Sequence, residues 1–312
     1  MKAVLFTKTL RYLTNPGLVP SKFLLLFLES GISHIIPDKL FLALKFRVLM
    51  KKKLNLKDPQ TYNEKLQWLK LYDRRPVYTV MSDKYEVRKY IAQSIGEKYL
   101  IPLLGVWDNV DEIDFDTLPE QFVLKCTHDS GSIVICHDKM SFDIHKTKTM
   151  LKKRLRRNYY YHGREWCYKN ITPRIIAEKY MADESKTYLK DYKIFCFGGQ
   201  PNLIEVDIDR FACHKRNFYS PGWEYQPLEN DCPTDPCIVL NKPIKLELML
   251  SLSKYLSSGF PQLRIDWYSI DDAIYFGEFT LYDGNGFNSY KPLEWDMKLG
   301  GMVYLPPCTR LA

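Results

Sequence analysis

Two acidic side chains, Asp266 and Glu278, are placed so that together they could bind a divalent cation. They lie in two strand-like runs around a turn within RIDWYSIDDAIYFGEFT, residues 264–280. With a three-residue loop the two acids pair directly across the hairpin, with Cβ atoms roughly 5 Å apart. Carboxylates this close repel each other unless a cation lies beside them, and Mg²⁺ commonly binds one or two protein carboxylates plus phosphate oxygens. The alternative is an ion pair between Arg264 and Asp266, with Glu278 in solvent.

The alternation of strand side chains predicts which residues share the face of this acidic pair. The face of the first strand carries Arg264, Asp266 and Tyr268, and the face of the second carries Phe276, Glu278 and Thr280. The following segment LYDGNGF, residues 281–287, contains two glycines, so its backbone could approach a bound ligand closely.

Lys125 and the turn that follows it form a candidate phosphate site. Lys125 lies near the end of the apolar run FVLKC and just before THDSGS, residues 127–132. A cation beside exposed backbone N–H groups can hold phosphate, although no G-K-[ST] follows, so this is not a Walker A motif. The alternative is a solvated charge at a strand end. Glu178, within IIAEKYM, could accept hydrogen bonds from a ribose or an adenine amino group, or it could be an exposed acid.

Two further motifs suggest other chemistry. DID, residues 207–209, is a D-x-D, with which glycosyltransferases hold a metal and a nucleotide-sugar diphosphate, but a lone D-x-D is common. KKRLRRNYYYHGREWCYK, residues 152–169, mixes basic and aromatic residues as single-stranded nucleic-acid binders do. A solvated helix face, or a surface for an anionic acceptor, fits this segment too. Because no recognised nucleic-acid-binding motif accompanies it, we expect no nucleic-acid partner.

The composition is that of an ordinary globular chain that attracts anions. The 312 residues are 46% hydrophobic and 26% charged, which does not indicate disorder. The net charge of +8 favours anionic partners, among them nucleotides, acidic sugars and acidic lipids. The eight cysteines form no C-x-x-C pair, and Cys126, Cys136 and Cys196 lie in strand-like runs, where free cysteine acts as a small buried residue. We therefore expect a reduced, cytoplasmic protein.

The N-terminal residues 1–55 are apolar and basic. Their longest apolar runs, FLLLFL (23–28) and LFLAL (40–44), are far shorter than the ~20 residues of a membrane-spanning helix. The segment 39–53 has the pattern of an amphipathic helix with a cationic end, the run KKK at 51–53. This helix could make a peripheral contact with the inner face of the plasma membrane, or it could pack on the main body of the protein.

Helices and strands alternate along the rest of the chain. Helical spacing is found within residues 58–75, 82–96, 146–163 and 245–259, and strand-like runs cover 99–110, 122–126, 132–136, 173–181, 191–199 and 201–209. Ser82 or Asp83 could cap the second helix, and Gly96 could end it. This mixture predicts an α+β or mixed α/β fold with several antiparallel strands.

The order of these pieces resembles the ATP-grasp superfamily. The phrases that carry the resemblance are DK (83–84), FVLK with its loop, AEKY, DYKIFCFGGQP and RIDW…FGEFT. More closely, residues from about 57 to 305 are similar to the branch associated with teichuronopeptide and surface-polysaccharide biosynthesis, through PQTYNEKLQWLK, SDKYEVRKYI, YLIPLLGVWD and YFGEFTLYDGNGF. The resemblance implies an α+β ATP-grasp fold, with antiparallel sheets that clasp ATP between a lid domain and a C-terminal domain.

The resemblance also implies domains and residue roles. The parts are an apolar and basic helical segment (1–57), an N-terminal domain (58–115), a lid domain (116–182) and a C-terminal catalytic domain (183–312). The residues that would bind ATP are Lys84, Lys125, Ser130, Gly131, Ser132, Glu178, Lys179, Tyr180 and Met181, the serines and glycine belonging to a flap over the phosphates. The residues that would bind Mg²⁺ are Asp266, Glu278 and Thr280. Arg264 would stabilise transferred oxygens, and Lys193 would lie in the same cleft.

Two features depart from the pattern of the superfamily. Thr280 stands where the usual third metal ligand is Asn, and the flap has one glycine where many relatives have several. The implied reaction is phosphorylation of a carboxylate by ATP, followed by attack of an amine on the acyl phosphate. The substrates would be a sugar acid, a glycan or an amino acid. Two rival hypotheses are a glycosyltransferase of the same kind of pathway, with DID as its metal site, and a non-enzymatic binding module.

Overall fold

The structure is a computed structural model and describes residues 21–182, 191–208, 214–270 and 272–307. Its α-helices are α1 (Ser21–Glu29), α2 (Asp38–Met50), α3 (Tyr62–Tyr72), α4 (Pro76–Ser82), α5 (Glu86–Ser94), α6 (Ile144–Leu155), α7 (Tyr160–Gly163), α8 (Leu246–Leu256) and α9 (Glu294–Met302). Its strands are β1 (Leu103–Trp107), β2 (Phe122–Cys126), β3 (Ile133–Cys136), β4 (Ile175–Lys179), β5 (Asp191–Phe197), β6 (Gln200–Ile208), β7 (Lys215–Tyr219), β8 (Tyr225–Gln226), β9 (Glu229–Asn230), β10 (Gln262–Ile270), β11 (Ala273–Thr280) and β12 (Tyr290–Lys291). Each strand-like run of the sequence contains a strand.

Two antiparallel sheets organise the chain. A four-stranded sheet has the order β1-β4-β2-β3, and a six-stranded sheet has the order β11-β10-β5-β6-β7-β8. The short strands β9 and β12 form a separate pair. The arrangement confirms the predicted α+β class with antiparallel sheets. None of the helices in the described residues is long and apolar enough to cross a membrane.

Three apolar cores hold these elements together. The largest joins the six-stranded sheet to helices α3, α4, α5, α8 and α9, and its members include Leu66 and Trp267. A second core lies between the four-stranded sheet and α6, around Phe122. A third joins α1 and α2 around Phe41 and Phe46. The predicted domain boundaries stay predictions, and β1, which precedes the proposed lid domain in sequence, pairs with β4 inside it.

The helix ends follow local hydrogen-bonding signals. Thr61 and Glu64 form a capping box at the start of α3, which satisfies backbone N–H groups that the helix leaves free. The Asp83 carboxylate accepts from the backbone N–H groups of Tyr85 and Glu86 at the start of α5. The Asp83 carboxylate thus binds the first backbone N–H groups at this end, although the N-cap position itself is Tyr85, two residues later than predicted. The preceding residues belong to α4, a helix that the sequence pattern did not predict.

Helix α2 resolves the two alternatives for the amphipathic segment 39–53. Phe41, Leu42 and Phe46 are fully buried, and the ammonium of Lys45 donates to the backbone oxygen of His162 at 2.8 Å. The helix therefore packs on the main body, as the second alternative held. The alternative that this helix contacts a membrane through its own apolar face is wrong, because that face is buried in the protein.

The hairpin of β10 and β11 pairs Asp266 with Glu278, as predicted, but its loop and its register differ from the predicted ones. Ile270 pairs with Ala273, so only two residues separate the strands, and the missing residue is supplied by a register shift at Gly277. The shift moves Phe276 opposite Trp267, against whose ring it packs at 6.1 Å in the core. The prediction that Phe276 shares the face of Glu278 is therefore wrong.

Candidate functional site

A row of charged residues crosses one face of the six-stranded sheet. Glu278, Asp266, Lys193 and Glu205 are successive Cα partners on β11, β10, β5 and β6. Directly paired residues in a sheet project from the same face, so the row is continuous across four strands. The structure thus brings together the residues that the sequence analysis assigned to metal binding and to the cleft.

Arg264 is the cation that lies between the acids of the hairpin. Its guanidinium forms a two-pronged ion pair with Asp266, with both N–O distances 2.8 Å, and lies 3.5 Å from Glu278. It also donates to Asp283, which the Asn288 amide contacts at 2.6 Å. Planar guanidinium groups suit such paired contacts with carboxylates. The Arg264–Asp266 ion pair of the predicted alternative is present, but Glu278 is 49% exposed and within reach of the same guanidinium rather than free in solvent.

These four residues, Arg264, Asp266, Glu278 and Asp283, are called the carboxylate cluster below. Burial raises the pKa of Asp266 to about 7, with Glu278 adding to the increase and Arg264 opposing it. Burial likewise raises the pKa of Asp283, and Arg264 again opposes the increase. One guanidinium is thus shared by three carboxylates, which leaves an excess of negative charge.

The carboxylate cluster fits a magnesium ion that arrives with phosphate oxygens. Asp266 and Glu278 supply hard oxygen atoms, and the excess negative charge would be offset by a divalent cation. Among the described residues there is no group of three or more His, Cys, Asp or Glu side chains that could hold a metal alone. Two carboxylates plus ligand phosphates is the pattern that Mg²⁺ prefers. Thr280 is half-buried on β11 and pairs with Arg264.

Lys193 is buried beside the carboxylate cluster but is engaged elsewhere. Its ammonium forms ion pairs with Asp207 and, at 3.3 Å, with Glu205. The Arg216 guanidinium lies 2.9 Å from Glu205 and 2.8 Å from Asp207, and His214 lies 2.8 Å from Asp207. Burial would raise the pKa of Asp207, but Lys193 and Arg216 outweigh it and hold that pKa well below its usual range.

The first acid of the DID motif, Asp207, is therefore engaged in ion pairs, with Lys193 and Arg216, and the metal site at this motif stays a prediction. The second acid of the motif, Asp209, lies outside the described residues.

A second cluster forms on the four-stranded sheet. The Lys125 ammonium lies 2.7 Å from one oxygen of Glu178, and the Arg88 guanidinium lies 2.8 Å from the other. Arg88 also donates to the backbone oxygen of Ile101 at 2.7 Å. Glu178 is buried, so the alternatives of a solvated Lys125 and an exposed Glu178 are both wrong. Arg88, Lys125 and Glu178 are called the lysine cluster below.

Lys84 ties the predicted flap to the start of α5. Its backbone N–H donates to the Thr127 carbonyl at 3.1 Å, and its ammonium donates to the Asp129 carbonyl. The Ser132 hydroxyl is buried and donates to the Asp129 carboxylate. The tip of the loop, Ser130 and Gly131, is exposed, and Gly131 has φ 85°, which only glycine adopts without strain.

The residues predicted to line an adenine and ribose site lie at the end of β4. Lys179 is exposed, and its backbone N–H donates to the Pro102 carbonyl at 3.0 Å. Tyr180 and Met181 are half-buried, and the Tyr180 ring packs edge-on against His137 at 5.0 Å. They are close in sequence to Glu178, so an aromatic and apolar surface adjoins the lysine cluster.

Helix α5 joins the two sheets, because its Arg88 lies 2.8 Å from Glu178 on β4 and its Tyr90 ring packs against Phe279 on β11 at 6.0 Å. The charge of Asp191 and burial chiefly raise the pKa of Tyr268, and Glu278 and Glu178 both add to the increase. The basic and aromatic segment 152–169 contacts the flap through Arg154, whose backbone oxygen lies 3.2 Å from His128 Nε2 and whose guanidinium lies 4.0 Å from Asp129. Burial raises the pKa of Tyr159, in the same segment, to about 12.

The sequence profile of a family described as TupA-like ATPgrasp matches residues 64–304. The chain belongs to the TupA-like ATP-grasp family. Membership of this family confirms the predicted ATP-grasp superfamily, and all residues of the two clusters lie within the matched range. A search of curated proteins found no match.

Solved structures similar to this TupA-like ATP-grasp chain include two D-alanine–D-alanine ligases. The ligase from Bacillus anthracis complexed with ATP is 18% identical to this chain. The match covers 65% of this chain and 55% of the ligase, with a TM-score of 0.38. The ligase from Helicobacter pylori is 15% identical, with 78% and 69% covered and a TM-score of 0.40. The ATP-grasp ligase PsnB, complexed with a phosphomimetic precursor variant, Mg and ADP, is 8% identical, with 88% and 68% covered and a TM-score of 0.40. The chain spans about half the length of the first of these.

Several residues of the site have no signal in the sequence pattern. Arg88 lies in SDKYEVRKYI, but nothing in that phrase places it beside Glu178, 90 positions away. Asp283 lies in LYDGNGF, in which the sequence pattern indicated a role for the glycines but none for this acid. Only a three-dimensional arrangement shows that Arg264 joins Asp283 to the hairpin acids.

Proposed function

We propose that this protein is an ATP- and Mg²⁺-dependent carboxylate–amine ligase that acts through an acyl phosphate. The observation that carries the proposal is that helix α5 joins the two sheets that bear the clusters: its Arg88 lies 2.8 Å from Glu178, and its Tyr90 ring packs at 6.0 Å against Phe279, the neighbour of Glu278. A magnesium–nucleotide complex needs cations around its phosphates and hard oxygen ligands around its metal. The two clusters offer these two kinds of group, and family membership supports the same conclusion.

In this proposal the lysine cluster holds the phosphates. Lys125 exchanges part of its ion pair with Glu178 for phosphate oxygens, and Arg88 stays to neutralise Glu178. Lys84 holds the flap through the backbone oxygen of Asp129, and the exposed tip at Ser130 and Gly131 can then cover the nucleotide. The adenine and ribose lie against the end of β4, as the resemblance implies for Glu178 to Met181.

The carboxylate cluster works on the reacting phosphoryl group. Bound Mg²⁺ supplies positive charge that offsets the charge of the transferred group, and the residues that would hold it are Asp266, Glu278 and Thr280. Burial opposes the charge of Arg264, but Asp266 and Asp283 raise its pKa well above the usual value, so it stays protonated. The guanidinium would orient the transferred oxygens, and Lys193 would lie in the same cleft on the neighbouring strand. No protein nucleophile is required, because positioning and electrostatics are sufficient for this chemistry.

The substrates that we propose are a carboxylate and an amine from a sugar acid, a glycan or an amino acid. The pathway would be bacterial teichuronopeptide or surface-polysaccharide biosynthesis, as the phrases PQTYNEKLQWLK and YFGEFTLYDGNGF suggest. The reaction would take place in the cytoplasm. The buried free thiols of Cys126, Cys136 and Cys196 are consistent with a reducing compartment.

A nucleotide-binding screen tests the proposal. Thermal unfolding of the full chain would be followed with ATP and Mg²⁺, with a uridine-diphosphate sugar and Mg²⁺, and with neither. A ligand that binds only the folded state raises the midpoint of unfolding. Stabilisation by ATP and Mg²⁺ alone is the expected result. Stabilisation by the nucleotide-sugar instead would favour the glycosyltransferase hypothesis, and no stabilisation by either would favour a binding module.

A further inference from the structure

The surface of α1 and the short 3₁₀ turn after it, Gly31–Ile35, is unusually apolar. Phe23, Leu26, Ile32 and Ile35 are between 65% and 72% exposed. The opposite side of α1, with Leu24 and Leu28, is buried against α2. Single exposed apolar residues are ordinary, but four large ones within 13 residues form a surface that favours a partner.

The same part of the chain holds the whole positive excess of the protein. Residues 1–57 contain 11 lysines and arginines against two acidic residues, whereas the other 255 residues contain 34 against 35. Exposed cations of the described part include Lys22, Lys39, Lys51 and Lys53. Lys22 is the neighbour of Phe23 in α1, and Lys39, Lys51 and Lys53 lie in and directly after α2, the helix on which α1 packs.

We propose that this surface docks on an anionic lipid bilayer. The docking surface comprises the apolar side chains Phe23, Leu26, Ile32 and Ile35 and the cations Lys22, Lys39, Lys51 and Lys53. Apolar side chains flanked by lysines are the chemistry of proteins that lie in a membrane interface, where the apolar groups enter the acyl boundary and the cations contact anionic headgroups.

Other partners fit this surface less well. Nucleic acid would attract the lysines but offers no apolar surface that would bury Phe23 and Ile35. A protein partner would bury the apolar side chains, but it gives no reason for the charge to be confined to the first 57 residues, since the remainder is nearly neutral. The docking surface differs from the covered face of α2, so the attachment does not require α2 to leave the body.

Vesicle flotation of the full chain tests this proposal. The vesicles would be phosphatidylcholine alone and phosphatidylcholine mixed with phosphatidylglycerol, each at low and at high salt. We expect flotation with the anionic vesicles at low salt, release at high salt, and little flotation with phosphatidylcholine alone. Flotation with neither vesicle, or equal flotation with both, would overturn the proposal.

Two variants with matched controls identify the docking surface. Phe23→Ser with Leu26→Ser should lower the affinity for anionic vesicles by roughly 10-fold or more, because apolar area no longer leaves water. Its control, Val239→Ser with Ile244→Ser, changes two residues that are more than 80% exposed in another part of the chain, and should bind as wild type does.

The second variant removes charge from the docking surface. Lys39→Gln, Lys51→Gln and Lys53→Gln together should lower the affinity by roughly 100-fold. The control replaces Lys153, Arg156 and Arg157, exposed cations of α6 and the residues after it, by Gln and removes the same charge.

The two comparisons decide where the docking surface is. If a variant and its control lose the same affinity for vesicles, the overall charge or apolarity of the protein explains the binding, and the assignment of this surface is overturned. Light scattering of all variants distinguishes a dimer interface: a wild-type dimer that Phe23→Ser with Leu26→Ser converts to a monomer, without vesicle binding, would also overturn it. Unchanged unfolding midpoints show that the substitutions leave the fold intact.

Discussion

Glu178 is shared between Lys125, at 2.7 Å on the adjacent strand, and Arg88, at 2.8 Å on helix α5. The two cations bind different oxygens of one buried carboxylate. Arg88 thereby takes part of the negative charge that would otherwise bind Lys125 alone. This division leaves the Lys125 ammonium free enough to contact a ligand.

Replacing Arg88 by Met should weaken ATP binding although Arg88 is not predicted to touch ATP. Glu178 would then interact with Lys125 alone and compete more strongly with the phosphates. A hydrogen bond to a charged group contributes about 1.5–3 kcal/mol. We expect the KM for ATP to rise by roughly 10-fold with little change in kcat, and Arg88→Lys to restore part of the loss. Steady-state kinetics with varied ATP measures both constants.

Arg174→Gln is the control for that variant. Arg174 joins α5 to the same part of the protein through Glu86 at 2.8 Å, away from Glu178. Arg174→Gln should lower the free energy of unfolding without changing the KM for ATP. A rise in KM of equal size in both variants would mean that the contact between α5 and the sheet matters only for folding.

Asp266→Asn and Glu278→Gln should each abolish Mg²⁺-dependent ATP turnover. Both remove a negatively charged oxygen from the proposed metal site without changing side-chain shape. Glu278 is half-exposed, so its replacement should change the free energy of unfolding by no more than about 0.5 kcal/mol. Turnover would be followed by phosphate release, and thermal unfolding would check the fold. Near-normal turnover in both variants would remove the metal-site hypothesis.

Thr280→Asn is a gain-of-function counterpart. It introduces the ligand that the superfamily usually has at this position. The magnesium concentration needed for half-maximal turnover should fall. An unchanged or higher requirement would indicate that residue 280 does not reach the metal.

The strands were predictable because each depends on a short-range pattern. The pairing of Asp266 with Glu278 was predicted from a three-residue loop, whereas the structure reaches it through a two-residue turn and a register shift at Gly277. Phe276 was placed on the wrong face because the shift at Gly277 leaves no mark except the glycine itself, where a Cβ would lie 3.1 Å from the Asp266 carbonyl. Arg88 was missed because its partner is distant in sequence. Charges that meet through tertiary packing have no period, so neither alternation nor helical spacing reveals them.

Asp207→Asn should destabilise the fold in a pH-dependent way. The pKa of Asp207 is lowered in the folded protein from an ordinary value of 3.8, so its contribution is present above that value and is lost as pH falls further. Breaking a buried ion pair typically costs about 3–5 kcal/mol. Urea unfolding of both proteins should show this difference near neutral pH and a smaller one below about pH 4. A difference that does not depend on pH would show that the Asp207 charge is not what stabilises the cluster.

The effect of Asp207→Ala on turnover separates the two enzymatic hypotheses. After correction for the fraction of folded protein, it should be milder than that of Asp266→Asn, because Asp207 is engaged with Lys193 and Arg216. Asp209→Ala should also be mild. Loss of all turnover in the DID variants, with Asp266→Asn active, would instead favour the glycosyltransferase hypothesis.

Calorimetric titration of Lys125→Ala with a non-hydrolysable ATP analogue and Mg²⁺ tests the central claim most directly. Removing a partner from a close charge pair in a partly desolvated site costs about 2–5 kcal/mol, so affinity should fall by tens-fold or more. The control, Lys152→Ala with Lys153→Ala, removes more charge from the exposed face of α6, where ion pairs contribute about 1 kcal/mol or less, and should lose little affinity. If the control loses as much affinity as Lys125→Ala, the positive field alone explains binding and the specific phosphate site is wrong.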